Sequence, residues 1–140
     1  MSLTLPDFPK RENVFQKGRN AYEGYQRGWG LQFGGLRDDV LADPLYRRAA
    51  ELAKGRSVVT EHNRMNIFLI LKFFVGRLGS QNIIEFGSWR GGNAIFMAAC
   101  LRELHPHARV YALDTFKGMP PTDYGIDLHD AGDFSDVDLG

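Results

Sequence analysis

The eleven residues Asn82 to Gly92, NIIEFGSWRGG, constrain this chain more than any other stretch. A short apolar run, Ile83-Ile84, ends in Glu85, and a turn with Gly87, Gly91 and Gly92 follows before an apolar segment from Asn93 to Leu104. Strand, glycine-rich turn and helix in that order build the nucleotide-type pocket of α/β folds. Glycine lets backbone approach a ligand where a Cβ would clash. The helix start offers unpaired N–H groups and partial positive charge to a carboxylate or phosphate. A plain tight turn between a core strand and a core helix is the competing interpretation.

The strand is predicted over Asn82–Phe86, continuous rather than alternating, as for a strand covered on both faces. The helix over Gly92–Leu104 is apolar nearly all round, and His105-Pro106-His107 breaks it. With proline between them and no third ligand nearby, these histidines read as a solvated turn rather than a metal site. A second strand over Arg109–Leu113 ends in Asp114. The unit is therefore β-α-β, and its parallel crossover should be right-handed. That topology brings Gly87 and Asp114 to the carboxyl ends of neighbouring strands, beside the crevice where open α/β sheets bind ligands.

Upstream, Asp43 as N-cap, Pro44 at the first helical position and Gly55 as stop predict a helix over Pro44–Lys54. Leu45, Ala49 and Leu52 would share its inner face, with Arg47, Arg48 and Glu51 outside. A second helix is predicted over Glu61–Leu78 with Thr60 as N-cap. Its Met65, Phe68, Leu69, Leu71 and Phe73 are too many for a narrow stripe, so it should be heavily buried. Residues 1 to about 20, with Pro6 and Pro9, read as an extended arm. Tyr22, Tyr25, Trp29 and Phe33 among Gly24, Gly28, Gly30, Gly34 and Gly35 read as a loop over the core, or as a lid or a dimer arm. Past Asp114, Thr115–Pro121 is a loop. Asp123, Asp127, His129, Asp130, Asp133, Asp136 and Asp138 lack the glycine and terminal glutamate of a calcium loop, and most of them read as a solvated loop rather than a metal site.

At 140 residues the chain is one domain at most. Seventeen Lys+Arg balance seventeen Asp+Glu, which gives no reason to propose nucleic acid or an anionic membrane as partner. The longest apolar run, Ile67–Val75, contains Lys72 and is too short for a bilayer. The single cysteine, Cys100, rules out a disulfide framework and favours a reducing, cytoplasmic setting. It sits in a helical apolar pattern and reads as a buried small hydrophobe, not a nucleophile. The N-terminus shows no secretory pattern.

The turn also discriminates between cofactors. A dinucleotide site needs Gly-x-Gly-x-x-Gly, and here Trp89 stands where the second glycine would meet the pyrophosphate. Asp114 also lies further along than the roughly 20 residues expected of the ribose-binding acid. A cofactor with ribose hydroxyls and no pyrophosphate, of the S-adenosylmethionine kind, fits better.

EFGSWRGGNAIFMAA followed by VYALDTFKGMPP resembles the macrocin O-methyltransferase family of class I S-adenosylmethionine-dependent methyltransferases, over about Thr60 to Phe134. The resemblance implies a Rossmann-like α/β fold, with residues 1–59 as an N-terminal arm and helical extension. Residues 60–140 would form the first half of the cofactor-binding domain. Glu85, Gly87, Ser88, Trp89, Arg90, Gly91 and Gly92 would surround the methionine part of S-adenosylmethionine. Asp114 would accept from the ribose, with Thr115 and Phe116 beside ribose and adenine, and Thr60 would reach the cofactor carboxylate. The implied reaction is O-methylation of a small-molecule hydroxyl, and a homo-oligomer through the arm is implied as well.

Family members are substantially longer, with a seven-stranded sheet, and carry metal-binding aspartates and a base after the fourth strand. The expectation is thus a chain cut after its second strand, inactive alone, with any Mg2+ held by residues beyond it and no metal ligand within it. No catalytic base is assigned; His62, His105, His107 and His129 qualify by type only. The competing functions are a nicotinamide-dependent oxidoreductase and a non-catalytic nucleotide-binding or interaction module.

Overall fold

The computed structural model describes residues 35–123, 127 and 129–137, and the first described helix begins at Gly35. Helix α1 (Gly35–Ala42) was not foreseen from the glycine-rich stretch and buries Val40. The arm and the aromatics Tyr22, Tyr25, Trp29 and Phe33 lie outside the described residues.

Helix α2 (Pro44–Leu52) starts as its sequence dictates: the Asp43 side chain accepts from the N–H of Leu45 and Tyr46, and Pro44 needs no donor partner. Gly55, at φ +72°, turns the chain after it. The inner face is Tyr46, Ala49 and Ala53, spaced i, i+3, i+7. Leu52 is displaced from that stripe and exposed, contrary to the expected Leu45–Ala49–Leu52 face.

Helix α3 (Glu61–Phe73) is capped by Thr60, whose Oγ1 accepts from the N–H of Asn63. It ends five residues earlier than the predicted Leu78, and a 3-10 turn over Val75–Arg77 follows. Met65, Phe68, Leu71 and Val75 are buried, whereas Ile70, Phe73 and Phe74 are exposed. The heavy burial expected for this helix is therefore one-sided. Lys72 Nζ reaches back to Asp43 Oδ2 at 2.6 Å, tying the end of α3 to the start of α2.

Strands β1 (Ile83–Phe86) and β2 (Val110–Leu113) pair in parallel, with Ile83 opposite Val110 and Phe86 opposite Leu113. Between them runs α4 (Gly92–Leu104), with the predicted bounds. It packs on α2, α3 and β2. Phe96, Met97, Cys100 and Leu101 from α4 join Tyr46, Phe68 and Leu71 in the core, with Ile83 and Val110 against it. Tyr46 meets Phe68 and Phe96 edge-on at 5.5 and 5.7 Å.

Side chains alternate across a strand, so the opposite sheet face carries Ile84, Phe86, Tyr111 and Leu113. That face is open among the described residues: Phe86 is 80% exposed and Ile84 58%. The continuous apolar run was expected to mean cover on both faces. It records two apolar faces, of which α4 covers one.

The His105-Pro106-His107 break ends α4, but His105 is more than a solvated turn. Its Nε2 lies 3.2 Å from the Leu71 carbonyl oxygen, and its ring fills the space over Gly76. Cys100 is fully buried, and burial pushes its thiol up to about 12, as expected of a structural cysteine. No described helix is long and apolar enough to cross a membrane.

Candidate functional site

The parallel ladder continues one step past the strands, where the Gly87 N–H donates to the Leu113 carbonyl at 2.8 Å. Gly87 at φ +78° then turns the chain, with open space where a Cβ would stand. Ser88 is buried, and its carbonyl accepts from the Gly91 N–H at 2.7 Å, closing the turn. Gly91, at φ +71°, caps α4 without a side chain. Gly92 is glycine for a different reason. Its N–H bonds the Arg56 carbonyl at 3.0 Å, and a Cβ there would sit 2.4 Å from that carbonyl.

Asp114, the first residue beyond β2, holds this turn from below. Its Oδ2 accepts from the Trp89 N–H at 2.7 Å and its Oδ1 from the Phe116 N–H at 2.8 Å. The Phe116 and Trp89 N–H groups hold its carboxyl below the usual carboxylate range. Trp89 and Phe116 both take positive φ, 48° and 55°, and these hydrogen bonds fix that uncommon backbone.

The chain after β2 returns over the turn. The Met119 N–H donates to the Asp133 carbonyl at 2.8 Å and the Gly132 N–H to the Met119 carbonyl at 2.9 Å. Gly118 permits the approach, since a Cβ on it would lie 2.7 Å from the Gly132 and Asp133 carbonyl oxygens. The Trp89 indole N–H donates to Asp136 Oδ1 at 2.8 Å, and Arg90 pairs with Asp136 Oδ2. The indole N–H, with Arg90 beside it, holds the Asp136 carboxyl below its ordinary value. Asp136 thus stands apart from the aspartates expected to form a solvated loop, although its side chain is 60% exposed. Phe134 meets Trp89 edge-on at 5.8 Å.

Two cavities flank Trp89. The first, about 580 Å³, is mostly apolar: Val58, Phe86, Leu113, Met119 and Phe134 enclose Gly87, Asp114 and Thr115. The second, about 650 Å³, is more polar, with Arg56, Ser88, Arg90, Gly91, Phe116 and Asp136 on its walls. Both volumes lie in the range of small-molecule sites.

The fold thus brings together Gly87, Ser88, Trp89, Arg90, Gly91, Asp114, Thr115 and Phe116. Glu85, Gly92 and Thr60 line neither cavity. Glu85 faces α4, where its Oε1 accepts from Asn93 Nδ2 at 2.7 Å and its Oε2 is buried with no partner among the described residues. Thr60 Oγ1 is engaged in capping α3. None of the four histidines lines either cavity. Val58, Met119, Phe134, Arg56 and Asp136 were not foreseen. The acidic and aromatic DFSD run was the only signal available for two of them. No group of three His, Cys, Asp or Glu among the described residues could hold a metal ion.

Residues 77–137 match the macrocin-O-methyltransferase (TylF) family, the family that the two motifs resemble. A Streptomyces olivaceus protein, 8-demethyl-8-(2,3-dimethoxy-alpha-L-rhamnosyl)-tetracenomycin-C 4'-O-methyltransferase, is 47% identical over 49 residues. The aligned stretch is 34% of this chain and 18% of that relative. No solved structure matches the chain.

Proposed function

We propose that this chain carries the cofactor-binding part of an S-adenosylmethionine-dependent O-methyltransferase acting on a small-molecule hydroxyl, on a sugar or natural-product scaffold. The observation that carries this reading is Asp114 on the wall of an apolar cavity, one strand over from the glycine turn, within the stretch that matches a methyltransferase family. The relative's named rhamnosyl substrate supports the acceptor class.

The residues fit the cofactor. Gly87 leaves free the space that a Cβ would fill, and the cavity is large enough for a nucleoside. A carboxylate has about four acceptor positions, so Asp114 can hold two backbone N–H groups and still accept from ribose hydroxyls. Thr115 stands beside it. Val58, Phe86, Trp89, Leu113 and Phe134 would offer apolar surface to the bound molecule. When bound, S-adenosylmethionine supplies an electrophilic methyl group on a sulfonium. This chain's residues contribute binding and alignment of that group. In this proposal residues 60–140 form the binding domain, and residues 1–59 form an extension that reaches the site through Gly55, Arg56 and Val58. The described residues offer no ligand set for Mg2+.

Calorimetric titration of S-adenosylhomocysteine into the chain, with far-ultraviolet circular dichroism on the same sample, tests the proposal. Saturable binding is expected. A folded sample that binds none would overturn it.

A further inference from the structure

We propose that Asp136 is a positioning residue for the ligand site: it fixes the Trp89 indole between the two cavities and so holds the returning segment in place as their shared wall. Its carboxylate uses both oxygens, one on the Trp89 indole N–H at 2.8 Å and one on the Arg90 guanidinium. Arg90 in turn lies 4.5 Å from the Trp89 ring centre. Cation, indole and carboxylate thus close a three-membered cluster, and Phe134 packs against the ring in a T-shaped contact.

An exposed ion pair by itself contributes little, and the Asp136 side chain is 60% exposed. The geometry assigns it a different task. The Trp89 backbone is already anchored by Asp114, so the side chain's direction is what remains to be fixed. The indole N–H is a donor with one position to satisfy, and among the described residues Asp136 satisfies it. Trp89 lines both cavities. Phe134 and Met119 belong to the first, Asp136 and Val137 to the second. Losing the indole–carboxylate bond frees Trp89 to rotate and releases both walls at once. The bond joins residues 47 apart in sequence, and it holds the segment three residues beyond the Met119–Asp133 hydrogen bond.

The role assigned to Asp136 rests on the S-adenosylmethionine reading of the cavity, so its test uses two readouts. Trp29→Phe in the full chain leaves Trp89 as the single tryptophan. In that background, Asp136→Ala should make Trp89 emission markedly more accessible to acrylamide. It should also weaken S-adenosylhomocysteine binding by about threefold to tenfold, the net effect of one ordinary hydrogen bond. Asp136→Asn keeps an acceptor for the indole and should recover most of both effects. In the full chain carrying Trp89→Phe, where no indole N–H remains, Asp136→Ala should change affinity by less than about twofold, within the error of independent sites. Unchanged quenching in Asp136→Ala, with parent binding intact, would overturn the inference alone. So would an affinity loss of the same size with and without Trp89. Failure of the folded parent to bind S-adenosylhomocysteine would overturn the cofactor reading, and the positioning role with it.

Discussion

The Asp114 carboxylate receives the backbone N–H of Trp89 at 2.7 Å across 25 residues of sequence, and the same group receives the Phe116 N–H. A residue expected from the sequence to be a ribose acceptor is observed as the clasp that joins the two strand ends. Asp114→Ala should lower S-adenosylhomocysteine affinity and also destabilise the fold by about 1–3 kcal/mol, because two backbone donors lose a charged acceptor. Asp114→Asn should recover only part of this, since its amide turns a donor toward one of those N–H groups. Urea unfolding and calorimetry on both variants measure the two effects. Unaltered stability in Asp114→Ala would reduce the residue to a ligand contact.

Acid should weaken the chain through Asp43 and Asp114. Burial alone raises the Asp43 carboxyl, but the Lys72 ammonium and the Tyr46 and Leu45 N–H groups outweigh it and hold it below its ordinary value. Asp114 is held low by Phe116 and Trp89. For a carboxyl depressed in the folded state, the stabilisation is complete above the unfolded value, about 3.9, and is lost as pH falls through the folded value. The urea midpoint should therefore drop below about pH 4. Asp43→Asn, which keeps the helix cap, should flatten part of that drop and cost about 0.5–1.5 kcal/mol at neutral pH. A pH profile identical to the parent's would remove Asp43 from the acid response.

Cys100 should be inert in the folded chain. With the thiol buried and pushed up to about 12, a thiol-disulfide reagent at pH 8 meets almost no thiolate. Labelling should follow unfolding, accelerating with urea in step with the loss of helical signal. Rapid stoichiometric labelling in native buffer would show that α4 opens from the core.

The segment from Asn82 to Asp114 was legible because its signals are local. Glycine, acidic residue and apolar run set β1, the turn, α4 and β2 to within about a residue of their observed bounds. The placing of Gly87 beside Asp114 followed from β-α-β topology alone. What escaped depends on contacts distant in sequence. Leu52 and Phe73 have the side chains of core residues, but the stripes chosen by α2 and α3 leave them outside. Periodicity shows the apolar faces of β1 but not which of them receives a partner. Asp136 looked like one aspartate among many, and only the return of the chain over Trp89 singles it out. The identity of Gly92 was read as cofactor approach, whereas its neighbour is the Arg56 backbone.

That last distinction separates two glycines of one turn. At Gly92 a Cβ would stand 2.4 Å from the Arg56 carbonyl and 2.8 Å from Ser57 Cβ, so Gly92→Ala must push one backbone segment off another. The expected cost is about 1–3 kcal/mol, as for overpacking. At Gly87 nothing lies within 4 Å of the added Cβ, and the penalty comes only from φ +78°, about 1–2 kcal/mol. The fold should thus suffer at least as much from Gly92→Ala, while ligand affinity should suffer more from Gly87→Ala, whose methyl enters open space beside the first cavity. Urea midpoints and S-adenosylhomocysteine titrations on the pair separate the two roles. If Gly92→Ala left stability intact and abolished binding, Gly92 would return to the cofactor site and the Arg56 contact would be a yielding one.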